Sequence, residues 1–216
     1  MIGIKINNNR PLKILCLGAH SDDIEIGCGG TILSMLKKHK NAQVHWVVFS
    51  SEPLRDQEAK RSANLFLTDA GSRKVLTENF RNGHFPNIGA DIKDYFESLK
   101  QIISPDLIFT HYRADLHQDH RIVSELTWNT FRNHLIFEYE IPKYDGDFGS
   151  PSVFVPLENF ICQKKIGNIL KCFKSQNDKH WFTKEIFLST LRIRGMECVS
   201  PTNYAEAFYC KKIVLK

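Results

Sequence analysis

Leu12-Lys13-Ile14-Leu15-Cys16-Leu17-Gly18-Ala19-His20-Ser21-Asp22-Asp23 is the stretch that decides the fold. Leu12 to Gly18 is short, almost wholly apolar and closed by a glycine, which reads as a strand buried on both faces. Histidine and two carboxylates follow at once. Cys28-Gly29-Gly30 then opens a helical stretch from Thr31 to Lys40. Strand, polar turn and helix in that order make the first unit of an α/β sheet.

The same alternation continues downstream. Val44 to Phe49 reads as a second buried strand, and Arg55 to Asp69 as a helix with an Ala59, Ala63, Leu67 stripe. Arg73 to Leu76 is a short third strand. Ile88 to Ile103 is a helix closed by Ser104-Pro105, and Asp106 to Thr110 a fourth strand. Asp119 to Asn133 continues as a helix and Leu135 to Glu140 as a fifth strand. Such alternation implies a parallel sheet covered on both faces, with ligands at the carboxyl ends of its strands. The last third is less regular. Tyr144 to Pro156 reads as a loop near the site or at an interface, Glu158 to Ser175 and Phe182 to Arg194 as helices, and Ala207 to Leu215 as a closing strand.

At 216 residues and 42% hydrophobic content the chain suffices for one domain with a sizeable core, spanning 1–216. The net charge of +5 comes without a Lys/Arg run of the kind that binds nucleic acid or a membrane surface. The densest cations, Lys164-Lys165 with Lys171 and Lys174, read as a solvated helix face. No apolar stretch reaches the length of a membrane span. The six cysteines form no C-x-x-C pair, so neither a zinc knuckle nor a dithiol site is expected, and unpatterned thiols suit a reducing compartment. Met1-Ile2-Gly3-Ile4-Lys5 lacks the apolar run of a signal peptide, and the expectation is a cytoplasmic protein.

Two clusters carry chemistry, His20-Ser21-Asp22-Asp23 after the first strand and His117-Gln118-Asp119-His120 after the fourth. His20 and Asp23 stand three apart across a tight turn and can converge on one ion, joined by His120. Two nitrogens and one oxygen suit zinc with a position left open to water, and ferrous iron suits the same ligands. Asp22 is then the natural general base. His117 can stabilise an oxyanion or protonate a leaving amine, and Asp119 can fix the tautomer of His117 or orient a ligand. These parts compose a metal-assisted amide hydrolysis.

Ala19-His20-Ser21-Asp22-Asp23 resembles the A-H-P-D-D motif of the PIG-L/LmbE-like family of zinc-dependent N-acetylglucosaminyl deacetylases, and His117-Gln118-Asp119-His120 resembles its H-P-D-H. Ser21 and Gln118 replace the usual prolines. Glu52, Arg55 and Glu58 resemble the family's stretch after strand two, and Ser175-Gln176, Arg194-Gly195 and Tyr204 to Phe208 its C-terminal motifs. The resemblance implies a Rossmann-like three-layer sandwich with a mostly parallel sheet. It implies His20, Asp23 and His120 as zinc ligands, Asp22 as base, His117 as electrostatic or acid partner, and removal of acetyl from a small N-acetylated sugar conjugate. Arg55 is either a substrate contact or a helix-start residue with a surface carboxylate partner. Arg194 lies near the sugar or charges a helix end. His84 lines the pocket or a surface turn, and His111 is a ligand or a supporting core residue. His180 and Trp181 form either a sugar-stacking lip or packing. Residues 141–216 are expected to shape the pocket, and homo-oligomerisation is left open.

A rival is the metallo-β-lactamase pattern H-x-H-x-D-H, approached by Asp115-Leu116-His117-Gln118-Asp119-His120. It puts Asp where the first His belongs and leaves the first cluster unexplained. A non-catalytic sugar-binding protein is a second rival, disfavoured because ligands, base and acid partner are all present, and a third reading keeps the site as an amide hydrolase on a substrate other than a GlcNAc conjugate.

Overall fold

The computed structural model describes residues 3–6 and 10–214. β1 (Lys13–Gly18) runs inside the sheet, flanked in parallel by β2 (Gln43–Val48) and β4 (Leu107–His111). β3 (Ser72–Thr77) and β5 (Leu135–Tyr139) extend it on either side, also parallel. β6 (Val153–Pro156) and β7 (Ala205–Tyr209) complete one edge through antiparallel pairing, giving the order β3-β2-β1-β4-β5-β7-β6.

Alternation along the strands divides the core into two. Ile14 and Cys16 face one side, with Trp46, Phe109 and Tyr139, beneath α1 (Asp23–Lys38), α2 (Pro53–Phe66), α5 (Asn159–Cys172) and α6 (Lys184–Glu197). Leu15 and Leu17 face the other, with Phe49 and Ile108, beneath α3 (Gly89–Ile102) and α4 (Gln118–Thr130). Burial of each such side chain contributes about 1.5–3 kcal/mol. The expected three-layer α/β sandwich with a mostly parallel sheet is the observed one.

Four expectations change. The first helix begins at Asp23, not Thr31. Gly27, Gly29 and Gly30 lie inside it because packing overrides their poor helix propensity. A Cβ on Gly27 would stand 2.1 Å from the Tyr139 ring, and one on Gly30 2.5 Å from Leu157. The 144–156 stretch contains strand β6, an edge strand that ends at Pro156, where a missing N–H is tolerated. The closing strand is Ala205–Tyr209, and Leu215 lies outside the described residues. Lys164, Lys171 and Lys174 are exposed, whereas Lys165 is buried. Its Nζ donates to Glu206 Oε1 at 2.5 Å and to the Ile26 carbonyl at 2.6 Å. Glu206 in turn accepts the α1 amides of Gly30 and Thr31.

The strand order reverses between β1 and β4, the switch point where ligands bind in open α/β sheets. Both His/Asp clusters follow those two strands. All six cysteines are free thiols. Among the described residues no helix is long and apolar enough to cross a membrane.

Candidate active site

The turn after β1 is built from its own polar groups. The Ala19 amide donates to His111 Nε2 at 2.9 Å and the His20 amide to Asp23 Oδ2 at 2.6 Å. Ser21, in place of the family's proline, has its hydroxyl 3.1 Å from that of Ser51. These bonds turn His20, Asp22 and Asp23 toward the loop that follows β4. There His117 caps α4, its Nδ1 accepting the Asp119 amide at 3.2 Å.

Two donor groups meet, His20/His117/His120 and Asp23/His111/His120, each with its ligand atoms within 4.8 Å of one another. Where they overlap, His20 Nδ1 lies 3.2 Å from His120 Nε2 and 3.3 Å from Asp23 Oδ2, and the latter two are 3.5 Å apart. Metal–ligand bonds of about 2.0–2.1 Å in a tetrahedron give edges of roughly 3.3–3.4 Å. The triangle therefore has the dimensions of one face of such a coordination sphere, and the donor set fits a divalent ion.

Partners behind the triangle fix each donor side chain. Asp119 Oδ2 stands 3.2 Å from His20 Nε2, and the Asp119 carboxylate accepts the amides of Gly83 and Phe85 at 2.6 and 3.1 Å. Of the two roles expected for Asp119, orienting a ligand matches the geometry: its carboxylate faces His20, whereas only its amide meets His117. Asp115 Oδ2 stands 3.0 Å from His120 Nδ1, while its Oδ1 accepts the His117 amide at 2.8 Å. Lys143 reaches Asp115 at 3.1 Å. His111, fully buried, is the last residue of β4, and its Nε2 lies 3.2 Å from Asp23 Oδ2. It stacks on His120 at 3.9 Å between centroids and does not line the cleft.

The field of these groups is uneven. Burial lowers the His20 pKa, but Asp23 and Asp119 outweigh it and hold the imidazole at about 9. Burial and the neighbouring His111 push His120 down to about 3. Burial works against an ionised Asp23, yet His120, His111 and His20 keep its pKa well below the carboxylate range. Burial and His20 lower the pKa of His117.

A cavity of ≈ 410 Å³ opens over the triangle, lined also by Asp22, Arg55, Asn82, His117, Lys143, Tyr144, Lys179 and Trp181. Arg55, in the first turn of α2, donates from Nη2 to Asp22 Oδ1 at 2.5 Å. Its carboxylate partner is thus a cleft residue and not a surface one.

Besides His111 and Asp119, which stand behind the triangle, three sequence candidates lie apart from the cleft lining. His84 lines a neighbouring cavity with Asn79, Phe80 and Arg81. His180 is exposed and does not line the cleft, although Trp181 beside it does. Arg194 is 4% exposed and bidentate to Glu140 at 2.6 and 2.8 Å, with Glu197 and the Gly149 carbonyl as further partners. It anchors the segment after β5, because α6 packs beside β7 and buries the guanidinium. Asp115, Asn82, Lys143, Tyr144 and Lys179 escape a motif reading. Asp115 had a signal in its place just ahead of the second cluster, and Lys143, Tyr144 and Lys179 one in their place within the pocket-shaping last third. Asp119 occupied by His20 and two backbone amides does not match the bridging Asp of H-x-H-x-D-H.

The chain is 28% identical over 161 residues to a protein described as uncharacterized deacetylase YaiS of Escherichia coli (strain K12), covering 68% of this chain and 82% of that one. N,N′-diacetylchitobiose deacetylase from Pyrococcus horikoshii shares the fold with a TM-score of 0.67 at 20% identity, over 92% of this chain and 83% of that one. GalB, the 4-carboxy-2-hydroxymuconate hydratase of Pseudomonas putida KT2440, shares it with a TM-score of 0.72 at 15% identity, over 95% and 98%. Those two likenesses establish the fold alone. A family model described as PIG-L, GlcNAc-PI de-N-acetylase, matches residues 15–131, more than half of the chain and a span that contains both His/Asp clusters. With that match and the clusters joined at the switch point, the chain belongs to the PIG-L family of deacetylases.

Proposed function

We propose that this protein hydrolyses the N-acetyl amide of a small amino-sugar conjugate to acetate and a free amine, using a zinc ion held by His20, Asp23 and His120. The observation that carries the reading is the triangle of 3.2, 3.3 and 3.5 Å between their donor atoms. The two-nitrogen, one-oxygen set suits zinc, and ferrous iron is the alternative. When bound, the ion would supply a water of lowered pKa and polarise the amide carbonyl.

The chain's own groups do the rest. Arg55 holds Oδ1 of Asp22, which leaves Oδ2 to take a proton from the attacking water. His117, with Nδ1 accepting the Asp119 amide, carries its proton on Nε2 when neutral and donates it toward the developing oxyanion. Its lowered pKa keeps it neutral at pH 7, a hydrogen-bond donor and not a charge. Asp22 then passes its proton to the departing amine, so one water is consumed and acetate and amine result.

Residues 141–216 supply Ile141, Lys143, Tyr144, Asp145, Lys179 and Trp181 to the cleft, which supports a part for them in substrate choice. The six unpaired thiols support a cytoplasmic location. The test is acetate release from a panel of N-acetylhexosamine conjugates, with metal content measured on the same sample. Release with about one zinc per chain is expected. No release from any N-acetyl amide, or a two-metal site bridged by Asp119, overturns the reading.

A further inference from the structure

The proposed hydrolysis calls on neither Lys179 nor Trp181, which line the same cleft. The wall they form belongs to a segment between α5 and α6 which turns back on itself through Gln176 N–H to Phe173, Lys179 N–H to Gln176 and Phe182 N–H to Lys179. Its anchor is Glu58 of α2, a buried carboxylate. Glu58 Oε1 accepts the Ser175 amide at 2.9 Å, Oε2 accepts the Ser175 hydroxyl at 2.5 Å, and Gln176 Nε2 donates to that same hydroxyl at 2.9 Å. Arg55, one turn earlier on α2, holds the base Asp22. One helix therefore ties down both the base and this wall.

What the wall presents is a flat ring with a cation over it. Trp181 is half-buried, packed on the core and edge-on to Phe182 at 5.6 Å, so its plane is fixed. Lys179 Nζ lies 5.7 Å from the indole centroid. Of the three Lys and Arg side chains at the cleft, Arg55 is paired with Asp22 and Lys143 with Asp115 and Asp147, while Lys179 has no ion pair among the described residues. A fixed aromatic face suits the apolar face of a pyranose, and the neighbouring ammonium suits its hydroxyls.

We propose that Trp181 and Lys179 form a subsite for the second ring of an N-acetylated glycoside, and that Glu58 is the positioning residue that holds this subsite in place through Ser175 and Gln176. The proposal rests on the deacetylase reading of the cleft and adds to it the residues that discriminate a disaccharide from a single sugar.

The metal-loaded protein is assayed for acetate release from N-acetylglucosamine and from N,N′-diacetylchitobiose. Trp181→Ala is expected to lower kcat/KM for the disaccharide about tenfold more than for the monosaccharide, chiefly through KM. Glu58→Gln should give the same selective loss. Adding it to Trp181→Ala should give little further loss, because the two act through one surface. Equal losses on both sugars, no loss on either, or fully additive effects overturn the proposal. Calorimetric binding of both sugars in an Asp22→Asn background separates this from the parent reading. If wild type releases no acetate but Trp181→Ala still weakens disaccharide binding about tenfold, hydrolysis is refuted and the subsite stands. If acetate is released while the disaccharide-to-monosaccharide ratio is unmoved, the subsite fails and hydrolysis stands.

Discussion

Asp119 Oδ2 meets His20 Nε2 at 3.2 Å across 99 positions of sequence, so a carboxylate of the second cluster orients the imidazole of the first. Carboxylates behind metal-bound imidazoles fix ring orientation, and their loss lowers metal affinity about 10- to 100-fold. Asp119→Asn keeps an acceptor for one backbone amide and loses the charge against His20. Competition against a chelator should show weaker metal retention of that order, with His20→Ala losing the metal outright. Unchanged retention in both variants would refute the site.

Asp22 does not belong to the donor triangle, so Asp22→Asn should keep its metal. Turnover should fall about 10²- to 10⁴-fold, the range of general-base contributions. Metal content by elemental analysis and acetate release on one preparation decide it. Full activity would move the base elsewhere.

Arg194 is a buried partner of Glu140, and removing one member of such a pair costs about 3–5 kcal/mol. Arg194→Met should therefore lower Tm markedly. Adding Glu140→Gln, which removes the stranded carboxylate, should recover part of the loss. A raised KM with Tm unchanged would return Arg194 to the substrate.

His45 on β2 lies far in sequence from the clusters and offers a clean pH effect. Burial, then Lys74 and Lys13, lowers its pKa below the ordinary 6.5. Below 6.5 the unfolded chain binds a proton that the folded chain resists, so this stability is present above 6.5 and is lost as pH falls. His45→Gln should flatten the decline of denaturant-measured stability between about pH 6.5 and 5 relative to wild type. An identical decline would assign it to other groups.

Periodicity and strand length made the α/β class readable from β1 onward, because strands buried on both faces are continuous apolar runs. The same rule failed for β6, a short edge strand with half-exposed residues. It also failed for the start of α1, where glycines that lower propensity are required by Tyr139 and Leu157. Lys165 read as surface because a buried lysine differs from an exposed one only through a partner, here Glu206, 41 positions away.

By itself the sequence determined the two His/Asp clusters, their places at strand ends and the family to which they belong, since these depend on local order along the chain. Tertiary structure alone decided that β1 and β4 are neighbours at the switch point, which turns two strings into one donor triangle. It also decided that Asp119 serves His20, that Asp115 serves His120, and that Arg194 is an anchor. Each of those roles is a contact between residues distant in sequence, and side-chain chemistry states what a group can bind while only packing states what stands within its reach.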